Sequence, residues 1–308
     1  MYIADVHCDA LWKLAQKKHP VVNINSLQQG KINVQTFALF TIPNGKKEQE
    51  KRQIAAQIHA FHTLVNDSAI LRHEPFAPLS SQSSKTHAIL SLEGMSMFEF
   101  DSLDMLLHAG VEMVSLTWNE RNQFASGTDY NKGGITSAGK KMIRWLNDHG
   151  FSLDGAHLNE ESFWDAIHLA DHFLVSHANI KGIYSHPRNL SDAQLLALVE
   201  KNSFVGLTCY PRFLNGTKDA FYSDIARQIE YAGELGVISI LGFGTDWDGI
   251  DETVHSFASP RDFPRILDWL LLRFDEEIVK GVAGENFRRF WNNKYKQRSF
   301  QNSGNPLQ

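Results

Sequence analysis

Short runs of apolar, β-branched residues recur along the chain, and a polar loop follows each of them. Runs of this length bounded by turn residues are typical of buried β-strands. Eight runs predict strands, at Tyr2–His7, Val34–Phe40, Ala88–Leu92, Glu112–Thr117, Phe151–Asp154, Phe173–Ser176, Phe204–Thr208 and Val237–Gly244.

The segments between these strands repeat their apolar residues at the spacing of an α-helix. The clearest sets are Ile54, Ile58, Phe61 and Val65; Met142, Ile143 and Leu146; and Phe163, Trp164 and Ile167. Eight strands that alternate with helices over about 250 residues predict an α/β protein with one (β/α)8 TIM barrel. An open, doubly wound sheet would give a similar pattern.

We expect the barrel to occupy residues 1–291 as a single domain, followed by a polar C-terminal tail over residues 292–308. The chain has 308 residues. At roughly 150 residues per domain, that length alone would allow about two domains, but single α/β barrels often reach this size. Residues 74–85 are rich in serine and proline and predict a surface loop.

Composition and charge narrow the class of protein. With 43% hydrophobic and 21% charged residues, the chain is neither disordered nor collagen-like. Its 30 basic and 35 acidic side chains give a net charge of -5, which disfavours a nucleic-acid partner. Cys8 and Cys209 are the only cysteines, so neither a disulfide framework nor a cysteine-rich zinc site is expected.

The N-terminal residues lead directly into the first predicted strand. They carry neither the basic segment nor the apolar segment of a secretory signal peptide. No stretch approaches the roughly 18 apolar residues that a membrane span requires. We therefore expect a cytoplasmic protein without a membrane partner.

The chain contains 14 histidines, and histidine both binds metals and carries protons near neutral pH. In a barrel, the carboxyl ends of the strands meet at one face, where catalytic residues gather. The candidate metal-binding and acidic residues at the predicted strand ends are His7, Asp9, Glu93, His157, His177 and Asp246.

Each of these residues is weak evidence when taken alone. His7 and Asp9 are two positions apart and can point at one ion from an extended strand, but many such pairs bind no metal. A lone histidine is more often a cap or a core residue. Their repetition at five strand ends favours a metal centre, with too many imidazoles for magnesium and no thiolate pair for structural zinc. Five ligands can hold two zinc-like ions if one carboxylate, for which Glu93 is the candidate, bridges them.

Eight short motifs follow one another along nearly the whole chain, from residue 7 to about residue 291. They are His7-Cys8-Asp9, Ser91-Leu92-Glu93-Gly94, Leu116-Thr117-Trp118-Asn119, Asp154-Gly155-Ala156-His157, Ser176-His177-Ala178-Asn179, His186-Pro187-Arg188-Asn189, Gly242-Phe243-Gly244-Thr245-Asp246-Trp247-Asp248-Gly249 and Gly284-Glu285-Asn286-Phe287-Arg288. Each motif is weak, but the ordered set, with 20 positions from His157 to His177, is specific. In this set the chain resembles the membrane (renal) dipeptidase family, the M19 metallopeptidases, in a bacterial-type form.

The resemblance implies a TIM barrel of the metal-dependent amidohydrolase type with two Zn²⁺ ions. It assigns His7 and Asp9 to one ion, His157 and His177 to the other, and Glu93 to both. In the same way Asp246 matches the family's catalytic acid, and Arg188 matches the arginine that binds the carboxylate of the substrate. Trp118 stands where mammalian members carry a substrate-binding histidine; its indole can donate one hydrogen bond but cannot accept a proton.

The implied activity is zinc-dependent hydrolysis of short peptides with a free C-terminal carboxylate, through a hydroxide that bridges the metals. L-Xaa-D-Xaa dipeptides are candidate substrates, and the stereochemistry of the second residue stays open, as does a homodimer. Another binuclear barrel hydrolase, acting on a lactone, a cyclic amide or a phosphoester, is the alternative that Trp118 favours. A third hypothesis is a barrel without catalysis that serves as a binding module.

Five further residues have less specific expectations. Phe124, Tyr210 and Trp247 are candidates to line the mouth of the site, although core roles are the default for aromatic residues. His186 could line the pocket or pack in its loop. His73 is expected near a helix end, where the helix dipole favours positive charge.

Overall fold

All eight predicted apolar runs form parallel strands in the computed structural model, which describes residues 1–74, 77–81, 83 and 85–302. Within these residues the strands are β1 Ala4–Asp5, β2 Val34–Phe40, β3 Ile70–Arg72, β4 Thr86–Glu93, β5 Val111–Ser115, β6 Ser152–Asp154, β7 Phe173–Leu174, β8 Val205–Leu207 and β9 Leu241–Phe243. Most are shorter than predicted. The last predicted run, for example, begins as a turn of 3₁₀ helix at Ile238–Ile240 before β9.

The helices are α1 Ala10–Ala15, α2 Ile24–Gly30, α3 Lys47–Leu64, α4 Asp104–Ala109, α5 Ser137–Asp148, α6 Glu160–Leu169, α7 Asp192–Glu200, α8 Pro211–Leu214, α9 Tyr222–Glu234, α10 Phe263–Leu271, α11 Glu276–Lys280 and α12 Asn286–Asn302. The three helices predicted from apolar spacing are confirmed as α3, α5 and α6. Side-chain caps start several of them: the Asn159 side chain, for example, accepts from the backbone N–H of Ser162 at 2.8 Å and begins α6. None of the described helices has both the length and the apolar character needed to cross a membrane.

The strands form a ring in the order β7-β6-β5-β4-β2-β1-β9-β8. A parallel bridge between Val175 and Val205 joins its two ends, with backbone hydrogen bonds of 2.8 Å from Val175 to Phe204 and 2.9 Å from Gly206 to Val175. This closure makes the sheet a barrel and excludes the open, doubly wound alternative. Strand β3 lies outside the ring and pairs with β4.

Strand β3 was not predicted because its pattern is weak. It has three residues, of which only Ile70 is buried, and Leu71 is 41% exposed. Arg72, which follows Leu71, donates to the backbone oxygen of Ala109 at 2.8 Å. A strand of this length has too few residues to produce a recognisable alternation.

Helix α12 packs its aromatic residues against residues from the starts of the barrel strands. Phe287 and Trp291 are fully buried there and pack in one cluster with Tyr2 and Phe204. The helix continues through residues 292–302, which sequence analysis had assigned to a polar tail. Lys294 is buried and donates to the hydroxyl of Ser152 at 2.9 Å. Residues 303–308, the rest of that segment, lie outside the described residues.

The expectation that His73 lies near a helix end is wrong. His73 follows β3 and is buried, and its Nε2 accepts a hydrogen bond from the indole of Trp291 at 3.2 Å. Burial, with the nearby His87, lowers the pKa of His73 to about 4 despite a hydrogen bond to the backbone of Ala77. The imidazole is therefore neutral at neutral pH.

Candidate active site

Six polar side chains converge where the strands of the ring end. His7 and Asp9 follow β1, Glu93 ends β4, His157 follows β6, His177 follows β7 and Asp246 follows β9. All are buried except Asp246, which is partly exposed. The structure thus brings together every candidate metal-binding residue of the sequence analysis at one face of the barrel.

His7 stands among three carboxylates. Its Nε2 lies 3.2 Å from Oε2 of Glu93, 3.5 Å from Oδ2 of Asp9 and 3.7 Å from Oδ1 of Asp246. Burial opposes protonation of His7, but Glu93 and Asp9 raise the pKa of this imidazole well above its usual value. This concentration of negative charge around one nitrogen suits a cation.

A second group forms on the other side of Glu93. Nε2 of His157 lies 2.7 Å from Oε1 of Glu93 and 2.9 Å from Nε2 of His177. Each carboxylate oxygen of Glu93 therefore faces a different histidine, Oε1 facing His157 and Oε2 facing His7. Glu93 occupies the centre of the whole arrangement.

Outer hydrogen bonds orient the two facing imidazoles. Nδ1 of His157 lies 2.7 Å from Oδ1 of Asn119, which also accepts from the hydroxyl of Thr128 at 2.9 Å. Because that amide oxygen is an acceptor, Nδ1 of His157 carries the proton and Nε2 presents a lone pair. Nδ1 of His177 lies 2.8 Å from the hydroxyl of Ser176.

The charges of the site favour neutral imidazoles in this second group. Burial and the nearby Arg188 lower the pKa of His157 to about 4, partly offset by Glu93. Burial and His7 hold the pKa of His177 well below its usual range. Burial disfavours ionisation of Glu93, but His157 and His7 hold the pKa of that carboxyl well below its usual range. Neutral imidazole and ionised carboxylate are the forms that bind metal ions.

Two buried carboxylates beneath the site were not recognised from the sequence as positioning residues. Oδ1 of Asp154 accepts from the backbone N–H groups of Ala156 at 3.0 Å and Ser176 at 2.9 Å, which links the ends of β6 and β7. Asp5 accepts from Thr245 and so links β1 to the loop after β9. An aspartate inside an otherwise apolar strand is the signal that could have identified both.

The loop after β9 folds tightly around the acidic side of the site. Asp246 and Asp248 have left-handed backbone conformations, with φ of 67° and 73°. A Cβ on Gly249 would lie 2.1 Å from Oδ2 of Asp9 and 3.0 Å from Oδ1 of Asp246. Only glycine lets the backbone come this close to the two carboxylates.

The donor atoms lie close enough together to hold a cation. Oδ1 of Asp9 is buried and finds no hydrogen-bond partner among the described residues. The two Nε2 atoms of His157 and His177 face each other, an arrangement that a shared cation would stabilise. Three overlapping groups have their ligand atoms within 4.8 Å of one another: His7, Asp9 and Glu93; Glu93, His157 and His177; and His7, His177 and Asp246.

A cavity of about 420 Å³ opens above these residues. Arg188 lines it from the loop after β7; its guanidinium donates to the backbone oxygen of His177 at 3.4 Å and lies 5.7 Å from the ring centre of Phe213. Trp118 lines the cavity beside His157 with ring centres 6.0 Å apart. Both predicted substrate-binding residues therefore border the same cavity as the candidate metal-binding residues.

Of the other aromatic residues that the sequence suggested for the site, some line the cavity and others do not. Tyr210 lines the cavity, whereas Phe124 and Trp247 are buried in the core and are not among its lining residues. His186 packs on Phe213 with ring centres 4.4 Å apart, outside this cavity. The cavity also includes Trp12 and Phe40, which the sequence analysis had not singled out.

Comparisons with known proteins identify the family of the chain. The family model described as "Membrane dipeptidase (Peptidase family M19)" matches residues 1–303. An uncharacterized protein of Klebsiella pneumoniae is 29% identical over 68% of this chain and 82% of its own length. An uncharacterized dipeptidase of Schizosaccharomyces pombe is 30% identical over 59% of this chain but only 46% of its own length.

A crystal structure shares the fold at low sequence identity. It is a metallopeptidase from Rhodobacter sphaeroides, bound to a phosphinate mimic of the dipeptide L-Ala-D-Ala, with a TM-score of 0.88 and 18% identity over 96% of this chain and 99% of its own. The family match spans almost every residue that builds the barrel and the site. The chain therefore belongs to the membrane dipeptidase family, peptidase family M19, and is a metallo-dipeptidase.

Proposed function

We propose that the protein hydrolyses the peptide bond of dipeptides with a free C-terminal carboxylate, L-Xaa-D-Xaa dipeptides included, with two Zn²⁺ ions. The observation that carries the binuclear proposal is the position of Glu93, whose two oxygens face the separate histidines His7 and His157. His7 and Asp9 would hold one ion, His157 and His177 the other, and Glu93 both. Imidazole and carboxylate donors without thiolates suit a catalytic zinc centre.

When bound, the two ions would supply a nucleophilic water near neutral pH and polarise the carbonyl of the substrate. The chain itself has to supply proton transfer and orientation. Oδ1 of Asp246 lies 3.7 Å from Nε2 of His7, at the edge of the ligand groups and open to the cavity. We assign to this carboxylate the removal of the proton from the attacking water and its transfer to the leaving amine.

Arg188 would bind the terminal carboxylate of the substrate. Its guanidinium is buried beside the cavity and has five N–H donors in a planar fork, which matches the two oxygens of a carboxylate. Burial lowers the pKa of Arg188, and Asp246 and Glu93 oppose that effect. A buried cation in this place favours short substrates with a free carboxylate over protein chains.

The test is a panel of L-L, L-D and D-D dipeptides assayed with added zinc and with chelator, together with elemental analysis of the purified protein. We expect hydrolysis with zinc, loss of hydrolysis with chelator, and about two equivalents of zinc per chain. No hydrolysis of any dipeptide by the zinc-loaded protein would overturn the proposal. A saturating content of one equivalent would overturn the binuclear assignment alone.

A further inference from the structure

Three aromatic side chains form one side of the cavity. We call Trp12, Phe40 and Trp118 the aromatic wall: the ring centres of Trp12 and Phe40 lie 5.8 Å apart, and those of Phe40 and Trp118 lie 5.5 Å apart. All three border the cavity and are only partly buried. The wall ends at the metal site, because the Trp118 ring lies 6.0 Å from the ring of His157.

The order of strands in the barrel sets the wall opposite Arg188. Trp12 follows β1, Phe40 ends β2 and Trp118 follows β5. Arg188 follows β7, and its neighbour Phe213 lies in the segment after β8. In a closed ring of eight strands, β7 and β8 lie across the barrel from β2 and β4. Candidate metal-binding residues line the same cavity: Trp118 lies beside His157, and the Arg188 guanidinium donates to the backbone oxygen of His177.

This arrangement would fix which end of a bound dipeptide lies near Arg188 and which end lies near the wall. If Arg188 holds the terminal carboxylate and the peptide bond lies at the metal-binding residues, the amino-terminal residue continues toward the opposite side of the barrel. Each residue of an extended chain spans roughly 3.3–3.6 Å, so the amino-terminal side chain is one residue beyond the reacting bond. The wall is the apolar surface on that side.

We propose that the aromatic wall binds the side chain of the amino-terminal residue and makes the enzyme prefer dipeptides that begin with a large apolar or aromatic residue. This inference rests on the proposed dipeptidase function and on the role of Arg188. Rings that are partly exposed in a cavity gain contact when an apolar side chain covers them, and aromatic side chains add offset or edge contacts. The exposed side chain of Ile42 borders the same cavity and extends its apolar lining.

The test compares two substrates that differ only in the amino-terminal side chain, L-Phe-L-Ala and Gly-L-Ala. We expect kcat/KM of the zinc-loaded enzyme to be at least about tenfold higher for L-Phe-L-Ala, a discrimination that an apolar pocket can supply. Trp12→Leu and Trp118→Leu should each reduce this ratio several-fold. Because the ratio is measured within one preparation, a partly unfolded variant does not distort it.

A matched control is Phe221→Leu, since Phe221 is 54% exposed and lies outside the cavity-lining residues; it should keep the ratio of the unmodified enzyme. A second substrate pair, L-Ala-L-Phe and L-Ala-Gly, varies the carboxyl-terminal residue and should discriminate equally in the enzyme and in the wall variants. If the wall variants alter this second ratio instead, the direction of binding is reversed and the proposal is overturned.

The outcomes separate the two proposals. Hydrolysis of both substrates with similar kcat/KM, or a preference that survives both wall substitutions, would overturn the role of the wall while leaving the dipeptidase function intact. No hydrolysis of any dipeptide would overturn the proposed function and, with it, the inference that depends on it.

Discussion

Asp5 accepts two hydrogen bonds from Thr245, one from its backbone N–H and one from its hydroxyl, both at 2.8 Å. A third bond, at 3.0 Å, comes from the side chain of Gln35 in β2. Asp5 is fully buried and lies two positions before His7, so both side chains point the same way from the first strand. The carboxylate thus connects the end of β1 to the neighbouring strand β2 and to the loop after β9, and it places the backbone that leads into Asp246.

Replacing Asp5 tests that connection. In Asp5→Asn, the new amide N–H group faces the donors of Thr245 or Gln35, so a buried bond is lost and a donor is left unpaired. We expect the free energy of unfolding to fall by about 1–3 kcal/mol, measured by urea denaturation. Thr245→Val removes only the hydroxyl partner and should cost less. An unchanged denaturation midpoint for Asp5→Asn would show that the connection does not contribute to stability.

Asp246→Asn tests proton transfer. The amide keeps the size of the side chain but cannot take up a proton from water. We expect kcat to fall by about 100-fold or more, in the range typical of general acid–base groups, with zinc content and melting temperature retained. Asp219→Asn, a change at an exposed carboxylate outside the cavity-lining residues, is the control. Unchanged turnover would remove Asp246 from the mechanism.

Arg188→Ala tests recognition of the terminal carboxylate. Loss of a charged hydrogen bond of about 1.5–3 kcal/mol should lower kcat/KM for a free dipeptide by about 10–150-fold. The same dipeptide with its terminus converted to an amide should lose much less. The informative quantity is the ratio of kcat/KM between the acid and the amide; a ratio equal to that of the unmodified enzyme would refute the assigned role.

Asn119→Ala tests the orientation of His157. Its amide oxygen, 2.7 Å from Nδ1 of His157, holds the imidazole in the tautomer that presents Nε2. Removal of such a partner typically weakens metal affinity about 10–100-fold, which we expect for one of the two zinc ions in competition titrations with a fluorescent chelator. Asn25→Ala, at an exposed position, should bind both ions as the unmodified protein does. Equal affinities for Asn119→Ala would contradict the prediction.

His73 makes stability depend on pH at the opposite end of the barrel. Burial lowers its pKa in the folded protein from 6.5 to about 4. Between these values the unfolded chain binds a proton that the folded chain does not, so stability should fall as the pH drops from about 6.5 to about 4. This one group contributes at most about 3 kcal/mol, since each pH unit in the window contributes about 1.4 kcal/mol.

The measurement is the urea midpoint as a function of pH for the unmodified protein and for His73→Gln. The glutamine cannot be protonated, so its stability should vary less between pH 6.5 and 4. His59→Gln, on the exposed face of α3, should keep the pH dependence of the unmodified protein. If the urea midpoints of the unmodified protein and of His73→Gln change with pH by the same amount, the prediction is wrong.

Much of the fold could be predicted because apolar strands and amphipathic helices are local patterns. The eight runs, the helices α3, α5 and α6, and the barrel class all came from such patterns. The features that the sequence did not predict have no recognisable pattern in neighbouring residues. Strand β3 is too short to show alternation. The polar residues after Trp291 continue helix α12, in which Lys294 donates to Ser152. Phe124 and Trp247 resemble site aromatics in sequence but are buried in the core.

The sequence by itself determined which residue types end the strands, and in a barrel those ends meet at one face. That was enough to predict the candidate residues His7, Asp9, Glu93, His157, His177 and Asp246. Only the tertiary structure decided that each oxygen of Glu93 faces a different histidine, that buried carboxylates link neighbouring strand ends, and that three aromatic rings line the same cavity as Arg188. Side-chain chemistry is local, whereas distances between loops depend on the closure of the ring, which no segment specifies alone.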